Sequence, residues 1–165
     1  MGYTTEFSGQ FNVIPAMKES HRLYLEAFAR TRRMKRKSDV AEGLRDPVRQ
    51  QAKLPIGPDG GYFVGSPNDI GQNHDNSIVN YNGAPQGQPG LWCQWVPNDD
   101  GTAIVWDESE KFDAYVEWLE YLIANFLEPW GYKLNGTVLW RGEDFHDIGR
   151  INVSDNDVTS QLGDF

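Results

Sequence analysis

Leu91-Trp92-Cys93-Gln94-Trp95-Val96, Pro97-Asn98-Asp99-Asp100-Gly101, Thr102-Ala103-Ile104-Val105-Trp106: this run decides the fold. Two short stretches rich in aromatic and β-branched residues flank a Pro-Asn-Asp-Asp-Gly turn, which predicts a β-hairpin over 91–106. Asp107 follows, with Glu110 at the spacing of a capping box. Phe112, Tyr115, Val116, Leu119, Leu122, Ile123 and Phe126 then recur at helical intervals and predict an amphipathic helix, which Pro129 and Gly131 end. Beyond it, Tyr132 to Trp140 and Gly149 to Val153 read as a second hairpin. Asp155-Asn156-Asp157 reads as a turn into a final strand near Val158.

Upstream of the hairpin the pattern is less regular. Residues 3–14 predict an opening strand with a bend at Gly9. Pro15 is suited to open a helix, and Met17, His21, Tyr24, Leu25, Phe28 and Thr31 give it a buried stripe that runs on to about Lys35. Residues 38–90 are dense in Gly and Pro and have no sustained period, so they read as a long loop insertion and the expected site region. The expected fold is α+β: a single domain over 1–165, with an antiparallel sheet and two main helices packed on one face.

Composition narrows the function classes. The chain has 165 residues, 39% hydrophobic, with 6 Trp, 7 Tyr and 8 Phe, enough to build a core. No apolar run is long enough to cross a bilayer, and the amino-terminal residues lack a signal-peptide pattern. A soluble, cytoplasmic protein is the expectation. The lone Cys93 excludes an intrachain disulfide framework and a multi-cysteine zinc site, and it reads as a small buried hydrophobe. The net charge of −9 argues against duplex nucleic acid as a partner. The charge is uneven: residues 1–96 carry 11 basic and 9 acidic side chains, residues 97–165 carry 4 and 15.

Several clusters carry polar chemistry. Thr31-Arg32-Arg33-Met34-Lys35-Arg36-Lys37 concentrates guanidinium forks suited to phosphate or carboxylate, although cations also suit a helix C-terminus. Gly57-Pro58-Asp59-Gly60-Gly61-Tyr62-Phe63-Val64-Gly65 offers backbone N–H groups at close approach, but it lacks the ending of a P-loop, and turns around a short strand over 60–65 are the plainer explanation. Gln72, His74 and Asn80 lie in an amide-rich stretch, where self-capping Asx turns are the plainer explanation. Gln88, Trp92 and Gln94 combine an indole with amides, which suits stacking on a planar ring and reading its edge. The ligand-binding set expected from the sequence is Arg32, Arg33, Arg36, Tyr62, Gln72, His74, Asn80, Gln88, Trp92 and Gln94. No catalytic residue, metal ligand or cofactor is expected. His21, His74 and His146 lack metal-ligand spacing, and the capping box accounts for Asp107 and Glu110.

The chain resembles a family of short uncharacterised proteins of phages and bacteria. The resemblance rests on Thr31-Arg32-Arg33-Met34-Lys35-Arg36, Tyr62-Phe63-Val64-Gly65, Gly87-Gln88-Pro89-Gly90-Leu91-Trp92-Cys93-Gln94-Trp95, Glu117-Trp118-Leu119-Glu120-Tyr121-Leu122-Ile123 and Pro129-Trp130-Gly131-Tyr132. Small phage proteins of this kind often antagonise host defence. By that analogy the expected function is capture, without turnover, of a small anionic nucleotide-like signal such as a cyclic dinucleotide or an ADP-ribose derivative. Three alternatives stay open. One is an acidic protein–protein inhibitor of a host defence nuclease or effector. Another is a small hydrolase or transferase using His74, Asp75 or Glu143, and the last is a housekeeping domain whose aromatics are all core. Homo-oligomerisation is an expectation, since a long loop region can complete a site across subunits. A membrane partner is not expected.

Overall fold

A computed structural model describes residues 2–66 and 75–163. The fold is α+β, and the chain forms two compact units: Met1–Met17 with Gln94–Phe165, and Lys18–Cys93.

The first unit is built from β1 (Glu6–Ile14), β4 (Trp95–Pro97), β5 (Ala103–Trp106), β6 (Lys133–Arg141), β7 (Ile148–Ser154) and β8 (Asp157–Leu162). They form one antiparallel sheet in the order β4-β5-β1-β6-β7-β8. Pairing of β1 with β6 runs from Glu6 opposite Arg141 to Ile14 opposite Lys133. Alternation then decides the faces. Phe11 and Val13, Leu134, Val138 and Trp140, and Ile151 and Val153 are buried on one face. Ser8, Gln10, Asn12 and Thr137 are exposed on the other. Gly136 sits at φ 147°, and a Cβ there would lie 2.6 Å from the Gln10 carbonyl oxygen, so the close β1–β6 approach requires glycine.

The buried face is closed by α4 (Tyr115–Leu122) and a π-helical turn (Ile123–Leu127), which bury Trp118, Leu119, Leu122, Ile123, Phe126 and Leu127. Phe7, Trp95, Trp106, Phe112 and Tyr115 make edge-to-face or tilted ring pairs 5.0–6.2 Å apart. Each such pair adds about 0.5–1.5 kcal/mol beyond its buried area. The expected capping box does not start this helix. Asp107 accepts the Ser109 N–H in an Asx turn at 2.9 Å, and Glu108, Lys111 and Ala114 take φ of 67°, 59° and 55°. The left-handed residues hold 108–114 off the helical path, so the helix begins at Tyr115.

The second unit contains α1 (Glu19–Arg30), β2 (Lys35–Arg36), α2 (Ser38–Glu42), α3 (Pro47–Gln51), a 3₁₀ turn (Pro58–Gly60) and β3 (Ile78–Asn80), with β2 antiparallel to β3. α1 buries His21, Tyr24, Leu25 and Phe28, as its spacing predicts, and also Ala27 and Ala29. It stops short of Lys35. Thr31 turns extended at φ −102°, ψ 127°, and its hydroxyl donates to the Ala27 carbonyl at 2.7 Å. The basic cluster is therefore extended chain and not a helix end. Its N–H groups at Arg33, Lys35 and Lys37 donate to Leu91, Gly83 and Ser77 carbonyls at 2.8, 2.8 and 2.6 Å.

Residues 38–66 do not form a loop. Asp46 organises them: its carboxylate accepts the N–H groups of Gly65 at 2.9 Å and Val64 at 3.3 Å, and Arg49 Nε at 2.5 Å. Arg49 Nη1 also donates to the Leu54 carbonyl at 2.8 Å. Burial pushes the Asp46 carboxyl above its ordinary range, opposed by Arg49 and the two amides. The strand expected at 60–65 is absent. The 3₁₀ turn, with Asp59 at φ 53° and Gly60 at φ 65°, precedes this stretch, and residues 61–65 belong to no helix or strand.

Candidate functional site

Three arginines of the expected ligand set are held by partners within their own unit. Arg33 is 1% exposed; its guanidinium donates to the Phe28 and Phe63 carbonyls and lies 4.1 Å over the Phe28 ring. Arg36, also buried, pairs with Asp75 at 2.9 Å, donates to the Ser77 hydroxyl at 2.8 Å and covers the Phe63 ring. Arg32 is half-buried, donates to the Tyr81 carbonyl and the Asn82 side-chain oxygen at 3.0 Å each, and stacks 4.1 Å from the Tyr81 ring centre. Burial raises the Asp75 carboxyl. Hydrogen bonds from the Ser77 hydroxyl and N–H, together with Arg36, outweigh it and hold the group below its ordinary range.

The amides behave alike. Gln88 is buried and donates to the Gly61 carbonyl at 2.7 Å. Asn80 accepts the Asn82 N–H at 3.0 Å in the kind of Asx turn its surroundings suggest. Tyr62 is half-buried, its carbonyl accepts the Tyr24 hydroxyl at 2.7 Å, and burial pushes its phenol up. Trp92 is half-buried. Gln94 belongs to the other unit, where it is buried, donates to the Glu110 carbonyl at 2.8 Å and accepts the Trp106 indole N–H at 3.2 Å. Gln72 and His74 lie outside the described residues. The structure thus brings Arg32, Tyr81 and Asn82 together at the surface of the second unit. It uses Arg33, Arg36 and Gln88 to hold extended chain in place. Among the described residues, no group of three or more His, Cys, Asp or Glu is arranged to hold a metal ion. None of the described helices is long and apolar enough to cross a membrane.

The six-stranded unit contains two further features, one around Glu143, which the sequence offers as a candidate, and one that the sequence does not single out. The first is a polar knot at the β6–β7 turn. Asp147 accepts the Tyr3 hydroxyl at 2.7 Å and the Trp140 indole N–H at 3.0 Å, and Glu143 accepts the Thr4 N–H. A Cβ at Gly142 would lie 2.2 Å from both Asp147 and the Tyr3 hydroxyl, so glycine admits the contact. Both Asp147 oxygens have donors, which makes the carboxylate an anchor for the turn and a poor general base. Its hydrogen bond raises the Tyr3 phenol.

The second is an open groove of about 650 Å³ between the start of α4 and β8, lined by Tyr115, Val116, Glu117, Trp140, Ser160 and Leu162. Its walls mix polar and apolar surface: Val116, Trp140, Leu162 and the Tyr115 ring stand beside Ser160 and the Glu117 carboxylate. Burial, helped by nearby Asp147, Glu117 and Tyr3, pushes the Tyr115 phenol up to about 12, so it stays a neutral wall of the groove. A smaller cleft of about 240 Å³ lies at the Glu6–Arg141 end of the sheet, with Ser8, Leu139 and Ile148. No protein-family model, curated protein or solved structure matches this chain.

Charge divides along the same line as the contacts. The six-stranded unit contains 16 Asp and Glu against 4 Lys and Arg, net −12; the other contains 8 against 11, net +3. The ion pairs Arg22–Glu26, Lys35–Asp59, Arg36–Asp75 and Arg49–Asp46 all fall in the second unit. The described carboxylates of the acidic unit other than Asp147, among them Asp99, Asp107, Glu110, Glu117 and Glu120, are exposed.

Proposed function

We propose that this chain is a non-catalytic binding protein whose six-stranded unit engages a basic surface on a protein partner, of the kind a nucleic-acid-handling defence effector presents. The observation that carries the reading is the concentration of 16 carboxylates against 4 cations in one compact unit. Such a field repels nucleic acid, speeds encounter with a cationic cleft, and disfavours the compact state by self-repulsion. An unbalanced surface with that cost is coherent as a recognition surface. The test is binding to a panel of immobilised basic nucleases at about 0.05 and 0.3 M salt, between which the Debye length falls about 2.4-fold. A complex that weakens steeply with salt, and weakens again in the fourfold variant D107N/E110Q/E117Q/E120Q, is expected. A complex indifferent to both, or none with any member, overturns the proposal.

One observation favours a second reading, capture of a nucleotide-like anion without turnover. Arg32, Tyr81 and Asn82 set a cation, a ring and an amide side by side at the half-exposed surface of the second unit. A ligand of that class would have to displace internal hydrogen bonds of Arg32. A thermal-shift series with cyclic dinucleotides and ADP-ribose derivatives reads this directly, since a native-state ligand raises the melting point by mass action. A shift abolished by Arg32→Ala, with intact ligand recovered on heating, is the expected result. No shift with any compound removes the reading.

A further inference from the structure

The two edges of the six-stranded sheet are unlike. β4 spans only Trp95–Pro97 and ends on a proline, which cannot donate to an added strand. β8 runs six residues, Asp157-Val158-Thr159-Ser160-Gln161-Leu162, in unbroken register with β7, from Asp157 opposite Ser154 to Leu162 opposite Gly149. It has no proline, no lysine and no bulge, the devices that blunt exposed edges. Among the described residues no strand pairs with its outer side.

The register says which groups face outward. Gly163 N–H donates to the Ile148 carbonyl at 2.8 Å, so Gly163, and by antiparallel alternation Gln161, Thr159 and Asp157, exchange bonds with β7. Val158, Ser160 and Leu162 therefore point their N–H and C=O groups away from the sheet. Their side chains lie on the α4 face, and Ser160 and Leu162 line the groove of about 650 Å³; Leu162 is 70% exposed. An unpaired edge and a groove walled in part by Val116, Trp140 and Leu162 thus meet along one line. A strand laid on β8 would place alternate side chains in that groove, because successive residues of a strand point to opposite faces.

We propose that β8 and the α4 groove form a strand-addition site for an extended peptide segment of a partner, with apolar residues at alternate positions and Lys or Arg between or beside them. Main-chain bonds to Val158, Ser160 and Leu162 supply the pairing, and the groove against Tyr115, Val116 and Trp140 selects apolar side chains. Charge selects the basic character: Glu117 stands at the groove rim, Asp157 opens the edge, and the unit has a net charge of −12. The same charge disfavours a second copy as the occupant, since edge-to-edge pairing would bring two −12 units together. This assignment rests on the acidic unit being the binding unit.

The experiment is selection of a displayed random library of peptides of about twelve residues on the full chain, followed by affinity measurement on two variants. In Ser160→Pro the lost N–H is one that faces outward, so the sheet keeps its internal ladder while the edge loses a donor. Thr159→Pro, whose N–H faces β7, is the control that should melt earlier. Val116→Lys fills the groove with a cation and leaves the edge intact. The expected result is enrichment of alternating apolar and basic peptides that bind about tenfold or more weakly to both S160P and V116K. Peptides bound equally by the variants overturn strand addition; if their binding is still salt-sensitive, the acidic-unit reading survives on its own. Peptides lost in S160P but without excess Lys or Arg overturn the basic occupant and count against the acidic-unit reading. A dimer in sedimentation that S160P abolishes assigns the edge to a second copy and overturns the peptide. No enrichment overturns the site.

Discussion

Asp46→Ala tests whether residues 38–66 are built structure or mobile loop. The side chain has a fully buried carboxylate that accepts two backbone N–H groups and one guanidinium. Removing it leaves Arg49, itself 5% exposed, as an uncompensated buried cation, and orphans the Val64 and Gly65 amides. Breaking a buried ion pair on one side costs about 3–5 kcal/mol. The Val64 bond is long, at 3.3 Å, so the amides add little beyond the lower part of their usual cost of about 1–3 kcal/mol each. The expected loss is about 4–6 kcal/mol, a large fraction of the roughly 5–15 kcal/mol by which a domain is stable. Urea unfolding measures it. Asp46→Asn, which keeps an acceptor but loses the charge, should fall between wild type and alanine. D46A/R49L should recover part of the loss, because the stranded cation is gone. A D46A cost below about 1 kcal/mol, or a double variant no better than the single, would refute the assignment of Asp46 as the organiser of this segment.

Three further outcomes are expected. Burial, with Lys18 nearby, holds the His21 imidazole down at about 4 against its ordinary 6.5. The unfolded chain then binds the extra proton first, so His21-linked stability is full above pH 6.5 and is lost as pH falls through 6.5 toward 4. Solvent screening limits that loss to roughly 1–2 kcal/mol, and unfolding at both ends of the window, with and without His21→Gln, isolates it. Tyr115 works in the opposite sense: a phenol raised to about 12 from 10 loses its contribution as pH rises from 10 to 12, and ultraviolet difference titration of wild type against Tyr115→Phe should show one late-ionising phenol. A Cβ at Gly149 would sit 2.4 Å from the Gln161 carbonyl oxygen and from the Trp140 ring. Because one contact is backbone, Gly149→Ala should cost about 1–3 kcal/mol by overpacking and should deprotect the β7–β8 amides first in hydrogen exchange.

What the sequence showed and what it hid have physical reasons. The sheet strands and α4 were legible because their apolar residues keep a clean period of two or of three and four, with Leu119, Leu122, Ile123 and Phe126 buried as the spacing requires. The start of α4 was not, because Asp107 and Glu110 satisfy a capping pattern while three left-handed residues, invisible to a period, divert the chain. α1 ended early for a similar reason: Thr31 closes onto the Ala27 carbonyl, and a β-branched hydroxyl residue at a helical spacing looks like part of the stripe. The 38–66 segment read as loop because its elements are five residues or fewer and are held by side-chain bonds across long sequence gaps, from Asp46 to Gly65. The groove beside β8 had no sequence signal, since Ser160 and Leu162 look like an ordinary strand end until their neighbours are known.

The arginine cluster shows how one composition can serve two ends. An Arg-rich stretch beside aromatic residues is what a nucleotide site needs, and also what a short extended segment needs to be held without a regular ladder. Here Arg32 lies over Tyr81, Arg33 over Phe28 and Arg36 over Phe63, and each guanidinium also donates to a carbonyl, amide, hydroxyl or carboxylate. A cation so placed has exchanged water for a ring face and fixed acceptors, and a phosphate would have to better that arrangement, not merely match it. The two cases differ in burial, which no spacing encodes. The carboxylates of the six-stranded unit are the converse case: many of them are exposed and in no described ion pair, with Glu117 lining the groove and Asp157 opening the unprotected edge. Charge left uncompensated on a surface is available to a partner, whereas charge already balanced inside the fold is not.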